Sequence, residues 1–522
     1  MFVPLTPIRF LHRAMDLYGR RCGIVCGSHQ FTYDEFGERA ERLASALANL
    51  GINAGDRVAY ISFNNHQLLE GYYGVIQARA VVMPLNVRLS TPEMTGILNH
   101  SGARVVFYEG EFAPLVETLR PACGPVEYWI DLDADYEDML AKSAPQRADI
   151  FDYDEMSMAE LFYTSGSTGT PKGVALSHRT LYLHALDGLG CFKNVDEMVD
   201  LHTIPLFHAN GWGRPQISTM MGLKQIMVRR FDPGPVMRLI AAHRATHMCL
   251  VPTMANAMLN HPELGAFDIS SLTQIMLGGA AASPELVQRL EAAFRCEVLC
   301  GYGMTETSPI LTTSRRKPTI TYANDTERWS RQSMAGWPVP GVEVRVVDGE
   351  MKDVARDRTA IGEVVARGDH IMEGYFKEPD QTAAVMTNNW IHTGDMAVWD
   401  DEGYIHIVDR KKEIIISGGE NISSIEIEKA IFAHPAVFEC AVVPAPDDKW
   451  GEVPAAIIVR KPGAEVTSDE MLAFLQDKLG RFKLPRIIHF SDEPLPKTGT
   501  GKIRKMVLRE TFWAGREKRV QG

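Results

Sequence analysis

The chain has no run approaching the ~20 apolar residues that would cross a bilayer. Its opening stretch, MFVPLTPIRFLHRAMDLYG, lacks a basic segment followed by an apolar one. The first absence excludes a helical membrane protein. The second argues against a secretory leader, and the expectation is a cytoplasmic protein. Cysteine is sparse: eight residues, Cys22, Cys26, Cys123, Cys191, Cys249, Cys296, Cys300 and Cys440, are scattered over 522 positions. Free buried thiols are the state expected of such spacing. Two CxxxC pairs, Cys22 with Cys26 and Cys296 with Cys300, lack the second half that a zinc site needs. An extended basic face is also missing. Net charge is −12; from Asp409 onward there are 19 Lys and Arg against 17 Asp and Glu, giving +2, while the remainder has 35 against 49, giving −14. A local basic bias within an acidic chain fits a small anionic ligand, or ordinary variation between domains, better than nucleic acid.

What is present is ordinary globular composition, 45% apolar and 23% charged, at a length that suggests roughly two to four domains. Strand-length apolar runs alternate with helical patterns: ERAERLASALANLGI (38–52) precedes RVAYIS (57–62), TPEMTGILNHSGA precedes RVVFYE (104–109), and Thr91 reads as that helix's cap. VMRLIAAHRA leads to HMCLVP (247–252), then QIMLGG (274–279), a helix from Pro284 to Phe294, and EVLCGYG (297–303). Such alternation predicts an α/β protein with mainly parallel, helix-covered sheets, whose ligands lie at the carboxyl ends of strands. Near Asp409 the texture changes through a charged, hairpin-like segment to a new helix, so a large N-terminal domain, 1–408, and a small mobile C-terminal α+β domain, 409–522, are expected.

One loop carries the strongest local signal. FYTSGSTGTPKG, Phe162 to Gly173, crowds Thr164, Ser165, Ser167, Thr168 and Thr170 among Gly166, Gly169 and Gly173. Consecutive amides in such a turn make an anion-binding concavity, and the hydroxyls can rotate toward oxygen ligands. The common P-loop pattern fails, because Lys172 follows Pro171 and precedes Gly173. A mobile Gly/Ser linker is the plainer reading of the loop taken alone.

YTSGSTGTPKG resembles the signature of the adenylate-forming superfamily of acyl-CoA synthetases, peptide-synthetase adenylation domains and luciferases. GGAAA (278–282), GYGMTETSP (301–309), WIHTGD (390–395), DRKKEIIISGGENISSIEIE (409–428) and PKTGTGKIRK (496–505) follow in the family's order. The resemblance implies that a carboxylic acid attacks the α-phosphorus of ATP, releasing pyrophosphate, and that the acyl group then passes from the adenylate to the thiol of coenzyme A. By the same resemblance, Thr164, Ser165, Gly166, Ser167, Thr168 and Gly169 would hold the departing phosphates, with Lys172 as counter-charge. Gly279 and Ala280 would run along the adenine edge. Gly301, Tyr302 and Gly303 would bound the nucleotide, with Tyr302 under the adenine and Thr305 on the α-phosphate. Glu306, with Thr164, would hold Mg²⁺, for which a carboxylate is a suitable hard ligand. Asp395 would accept the ribose hydroxyls, Arg410 would add a second contact, and Lys412 would mark the hinge, its neighbour Lys411 being solvated. Lys502 would meet the acid and the α-phosphate together; without the resemblance, Lys502, Arg504 and Lys505 read as a basic surface turn. Gly418 and Gly419 would border the channel for coenzyme A.

TIPLFHANGW (203–212) resembles the LFHxNxW segment of fatty acyl-CoA synthetases, which places His208 beside the carboxylate and Trp212 at an apolar tunnel. Met304, with Met220, Met221, Met254, Met258 and Met276, could line that tunnel or fill the core equally well. Asn421 stands where several long-chain relatives have Trp. The expected activity is therefore a medium- or long-chain fatty acid–CoA ligase, with short, branched or aryl-aliphatic acids as the alternative. A relative that binds adenylate without making thioesters and a luciferase-like monooxygenase are rivals from other classes. The sequence leaves monomer and homodimer open.

Overall fold

The computed structural model describes the whole chain except residues 165–170, 412, 418–419, 448, 477, 498–502 and 515–522. It divides into two compact units, Met1–Val344 with Ala366–Ile391, and Arg345–Val365 with His392–Gly522.

The larger unit contains two sheets of the expected kind. In one, the strands Val81–Pro84, Arg57–Ile61, Ala103–Tyr108 and Tyr128–Asp131 run parallel. Met158–Thr164 joins Val81–Pro84 in parallel and turns back antiparallel into Lys172–Ser177. In the other, Cys22–Cys26, Lys224–Met227, Val199–His202, His247–Leu250, Gln274–Leu277 and Glu297–Gly303 form a parallel series. Ile310–Thr313 and Trp337–Pro338 continue it antiparallel.

The strands read as unbroken apolar runs because both faces are covered. Val81, Met83, Val106 and Leu161 pack with Met94, Ile97 and Leu98 of the Thr91–Ser101 helix in one core. Ile226, Met248, Ile275 and Val298 pack with Met237, Ile240, Val287 and Leu290 in the other. Each fully buried aliphatic side chain in such a core stabilises the fold by roughly 1.5–3 kcal/mol. Among the described residues, no helix is long and apolar enough to cross a membrane.

The helix at 91–101 corrects one expectation. Its cap is Ser90, not Thr91: Ser90 is extended, and its N–H and hydroxyl both bond Glu93 Oε2, at 2.8 and 2.6 Å. Thr91 and Pro92 then open the helix, and proline is tolerated there because first-turn N–H groups lack helical partners.

In the smaller unit, Val437–Asp447 and Gly451–Arg460 form a long antiparallel pair, with Ile487–Ser491 parallel to the second strand. Alternation along Val437–Asp447 sends Val442 to a core shared with Ile427, Ile431 and Leu475, and Ala441 and Val443 to another with Leu508. Helices therefore cover both faces of this sheet.

Candidate active site

The phosphate-loop motif bridges a β-hairpin. Thr164 and Lys172 face each other as the last and first paired residues of its strands, while Ser165, Gly166, Ser167, Thr168 and Gly169 lie outside the described residues. A short strand, Gly374–Tyr375, adds to the far edge of Lys172–Ser177, with Tyr375 opposite Val174. That pairing sets Tyr375 between two predicted site residues. The Lys172 ammonium lies 4.8 Å from the centre of its ring, and its hydroxyl donates to Glu306 Oε1 at 2.9 Å. Burial, reinforced by the Glu306 carboxylate, pushes the Tyr375 phenol well above its usual range, so it stays a proton donor. The Glu306 carbonyl in turn accepts from the Met372 N–H at 2.9 Å. The phenol thus orients the Glu306 side chain while its ring seats the Lys172 ammonium.

Glu306 reaches this position because the Glu297–Gly303 strand ends in a single 3₁₀ turn, Thr305–Thr307. The reversal is tight: Met304 N–H bonds the Pro309 carbonyl at 3.1 Å, and a Cβ at Gly303 would sit 1.8 Å from that carbonyl oxygen. Thr305 and Glu306 are buried in the turn, while Tyr302 and Met304 are half-buried beside it. Next to it, the parallel Gln274–Leu277 strand ends at Gly278 and Gly279, and Gly279 and Ala280 are exposed. A Cβ at Gly278 would lie 2.9 Å from the Trp212 ring and 3.2 Å from the Gly301 carbonyl oxygen. Loss of bulk therefore lets an indole rest on the predicted adenine-edge strand.

Trp212 arrives through a turn of the opposite hand. Ala209, Asn210, Gly211, Trp212 and Gly213 have φ of 45°, 43°, 57°, 61° and 71°, a run of left-handed backbone that costs about 1–2 kcal/mol at each residue with a Cβ. Buried polar side chains fix the backbone on either side of it and, in Asn210, the turn itself. The Asn64 amide donates to the His202 and Ile204 carbonyls at 3.0 and 2.9 Å and accepts from the Leu206 N–H at 2.7 Å. Tyr72 and Tyr73 donate to the Leu206 and Pro215 carbonyls. Asn210 Oδ1 accepts from the Gly213 N–H at 2.6 Å. His208 sits exposed at the start of the turn. Trp212 packs with Met276, Met254, Val251 and Ile310, so two of the methionines expected at a tunnel flank it. Met258 instead fills the large core, and Met220 packs with Phe10 and Ile217.

In the smaller unit, Asp395 and Arg410 are paired across neighbouring strands, Oδ1 to Nε at 2.7 Å. Asp395 is buried and Arg410 half-exposed, so the carboxylate keeps a fixed orientation. Lys411 is not merely solvated: its ammonium lies 3.0 Å from Glu363 Oε2, which His392 also meets. Burial would raise Glu363, but these two neighbours outweigh it and hold its carboxyl below the usual range. Lys412, Gly418, Gly419 and Lys502 lie outside the described residues. Lys505, three positions after Lys502, departs from the surface-turn reading. It reaches Glu428 at 2.8 Å and Glu413 at 3.3 Å, and donates to Ser424 Oγ at 2.7 Å. Burial disfavours its charge, yet the Glu428, Glu413 and Asp409 carboxylates raise its pKa.

Among the described residues no cluster of three or more His, Cys, Asp or Glu could hold a metal. A buried carboxylate with the Thr164 hydroxyl at the neighbouring loop fits the partial set from which Mg²⁺ is bound together with phosphate oxygens.

Sequence reasoning missed Tyr375, Asn64, Tyr72 and Tyr73. EGYFKEP carries no polar clustering, and the other three look like ordinary helix and loop residues until the chain folds.

Mainly parallel sheets whose glycine-bearing turns gather at strand ends, followed by a small α+β unit, define a ligand-binding α/β protein. The AMP-binding enzyme family matches residues 11–376, and the AMP-binding enzyme C-terminal domain matches residues 426–502. The chain is 36% identical to a long-chain-fatty-acid–CoA ligase of Thermus thermophilus, over 96% of this chain and 95% of that one. It is 34% identical to a 2-methylpropanoate–CoA ligase of Humulus lupulus, over 97% and 95%. The solved Mycobacterium tuberculosis fatty acyl CoA synthetase superposes with a TM-score of 0.77 at 32% identity, covering 98% of this chain and 99% of that one. The chain belongs to the AMP-binding enzyme family.

Proposed function

We propose that this protein is an ATP-dependent acyl-CoA synthetase that activates a medium- or long-chain carboxylic acid through an acyl adenylate and releases AMP and pyrophosphate. The observation that carries the reading is the convergence of Lys172, Tyr375 and Glu306 beside the hairpin loop, with Trp212 resting on Gly278 and Gly279. One group of side chains suits phosphate, the other an apolar acid.

In this reading the loop 164–169 and Lys172 hold the leaving pyrophosphate, which offsets the repulsion between an anionic acid and a polyanion. Glu306 and Thr164 would hold Mg²⁺, whose contribution is to neutralise phosphate charge. Tyr302, Gly279 and Ala280 bound the adenine, Thr305 faces the α-phosphate, and Asp395 with Arg410 takes the ribose. His208 borders the acid carboxylate. Lys502 supplies the cation between carboxylate and α-phosphate. The part of the chain from 409 to 522 turns about 409–412 between half-reactions, withdrawing Lys502 and presenting Gly418 and Gly419 to coenzyme A. Trp212, Met254, Met276, Val251 and Ile310 form the apolar surroundings that favour an acid with a sizeable hydrocarbon part.

The relatives' names range from long-chain fatty acids to 2-methylpropanoate, so the test is a panel from acetate to palmitate with phenyl-substituted acids, assayed for CoA-dependent AMP release. Best turnover between roughly C8 and C16 supports the reading. A preference for acetate or 2-methylpropanoate moves the protein to the short or branched acids.

A further inference from the structure

Glu160 lies in the Met158–Thr164 strand with no solvent exposure, beside Val82 on one side and Leu176 on the other. Such a place ordinarily takes an aliphatic residue, and a buried carboxyl without a cation is expensive. Among the described residues no Lys, Arg or His pairs with it. Both of its oxygens accept instead from a single distant segment: Oε2 from Asn210 Nδ2 at 3.3 Å and Oε1 from Gln216 Nε2 at 2.7 Å. All three residues are at most 2% exposed.

These two amides lie within and just after the left-handed turn. Asn210 is inside it and closes it through Gly213, while Gln216 sits in the first turn of the helix that follows, Arg214–Met220. The ionisable groups that face Glu160 from the neighbouring helix are Tyr72 and Tyr73, whose phenols feel its charge and whose hydroxyls hold the same segment at Leu206 and Pro215. Burial pushes the Glu160 carboxyl up to about 8, against its two amide donors. The carboxyl therefore serves as a hydrogen-bonding post, one oxygen for each amide. Four residues further along its strand stands Thr164, the entrance to the phosphate loop.

We propose that Glu160 is a positioning residue for the acid substrate: through Asn210 and Gln216 it holds residues 209–213 in the left-handed turn that sets Trp212 against Gly278 and Gly279 and follows directly on His208. One side chain thereby ties the strand that carries the phosphate loop to the segment that meets the acid. This inference rests on the acyl-CoA synthetase reading, and its consequence is a specific defect toward the acid.

The experiment measures KM for the best acid of the panel and for ATP, together with acrylamide quenching of Trp212, isolated by subtracting the signal of the Trp212→Phe chain. Glu160→Leu should raise the acid KM about tenfold with the ATP KM changed less than about twofold, and should make Trp212 more quenchable. Glu160→Gln, which keeps the shape and an acceptor, should restore most of the acid KM. Asn210→Ala should match Glu160→Leu, and the double variant should add little. Should Glu160→Leu fail to fold, Asn210→Ala and Glu160→Gln decide the question by the same two readouts. Unchanged acid KM and quenching in the folded variants, or equal rises in both KM values, overturn the proposal. If the wild-type chain turns over no acid, the functional reading fails, while Trp212 quenching still judges the role of Glu160.

Discussion

The turn after the Glu297–Gly303 strand and the turn at 209–213 both bring predicted site residues to the ends of parallel strands, and they are held in opposite ways. The first is made by omission: Gly303 lets the chain fold back within reach of Pro309, and Thr305 and Glu306 follow. The second is made by insertion of polar groups: Asn210 closes the left-handed backbone onto Gly213, Glu160 holds the Asn210 side chain, and Asn64, Tyr72 and Tyr73 fix the backbone on either side at Leu206 and Pro215. A turn made by small residues depends on steric permission, whereas a turn made by buried hydrogen bonds depends on partners elsewhere in the chain. The two meet at His184, whose Nε2 accepts the Ile310 N–H at 3.2 Å and whose ring would lie 2.3 Å from a Cβ at Gly213.

The comparison can be broken first on its steric side. Gly303→Ala should abolish adenylation, by ~100-fold or more, because the overlap with the Pro309 carbonyl is with backbone and cannot be relieved by a rotamer. Pyrophosphate exchange measured alongside thermal unfolding checks it, and near-wild-type exchange would show that the turn is not set by that contact. The next effect is chemical. Tyr375→Phe keeps the ring over which Lys172 sits and removes only the donor to Glu306; loss of one hydrogen bond to a charged group, about 1.5–3 kcal/mol, predicts a fall of ~10-fold or more in kcat/KM for ATP. An unchanged value would place the hydroxyl outside the reaction. On the other turn, Gly213→Ala forces a methyl against His184 in backbone at φ 71°, and a destabilisation of ~1–3 kcal/mol should appear in denaturant unfolding, with the acid KM rising more than that for ATP.

The smallest effect lies at the junction. Burial, helped by the neighbouring His370, holds His184 well below its ordinary pKa, so the folded chain keeps it neutral while the unfolded chain protonates near 6.5. The unfolded state then binds the extra proton, and the stability due to His184 is present above pH 6.5 and falls as pH drops below it. The melting temperature should decline from pH 7 to pH 5, and His184→Gln should reduce that decline; an equal decline in both chains would assign it to other groups.

The same contrast explains what could be read in advance. Alternating strands and helices, from RVAYIS through EVLCGYG, were legible because buried parallel strands leave unbroken apolar runs. Gly279, Gly303 and Glu306 were singled out by the resemblance that GGAAA and GYGMTETSP carry, since small residues and a lone carboxylate in a turn are by themselves ordinary surface features. The left-handed turn was not: HANGW contains only two residues, Asn210 and Gly211, that favour such backbone, and the groups that hold it and its approach stand 50 and 142 positions from their partners, in Glu160 and Asn64. Ser90 displaced Thr91 as a helix cap for a similar reason, since either hydroxyl suits the role and the placement of Glu93 decides. Tyr375 became visible only when a two-residue strand paired with the hairpin. The buried anchoring of Lys505 emerged from three carboxylates that converge only in the fold.

The central claim is that the acid attacks the α-phosphorus of ATP before coenzyme A takes part. Its most direct test is exchange of labelled pyrophosphate into ATP with Mg²⁺ present and coenzyme A left out. Exchange that requires the acid is the predicted result. Exchange that ignores the acid, or acid-dependent consumption of ATP that yields ADP, would contradict it.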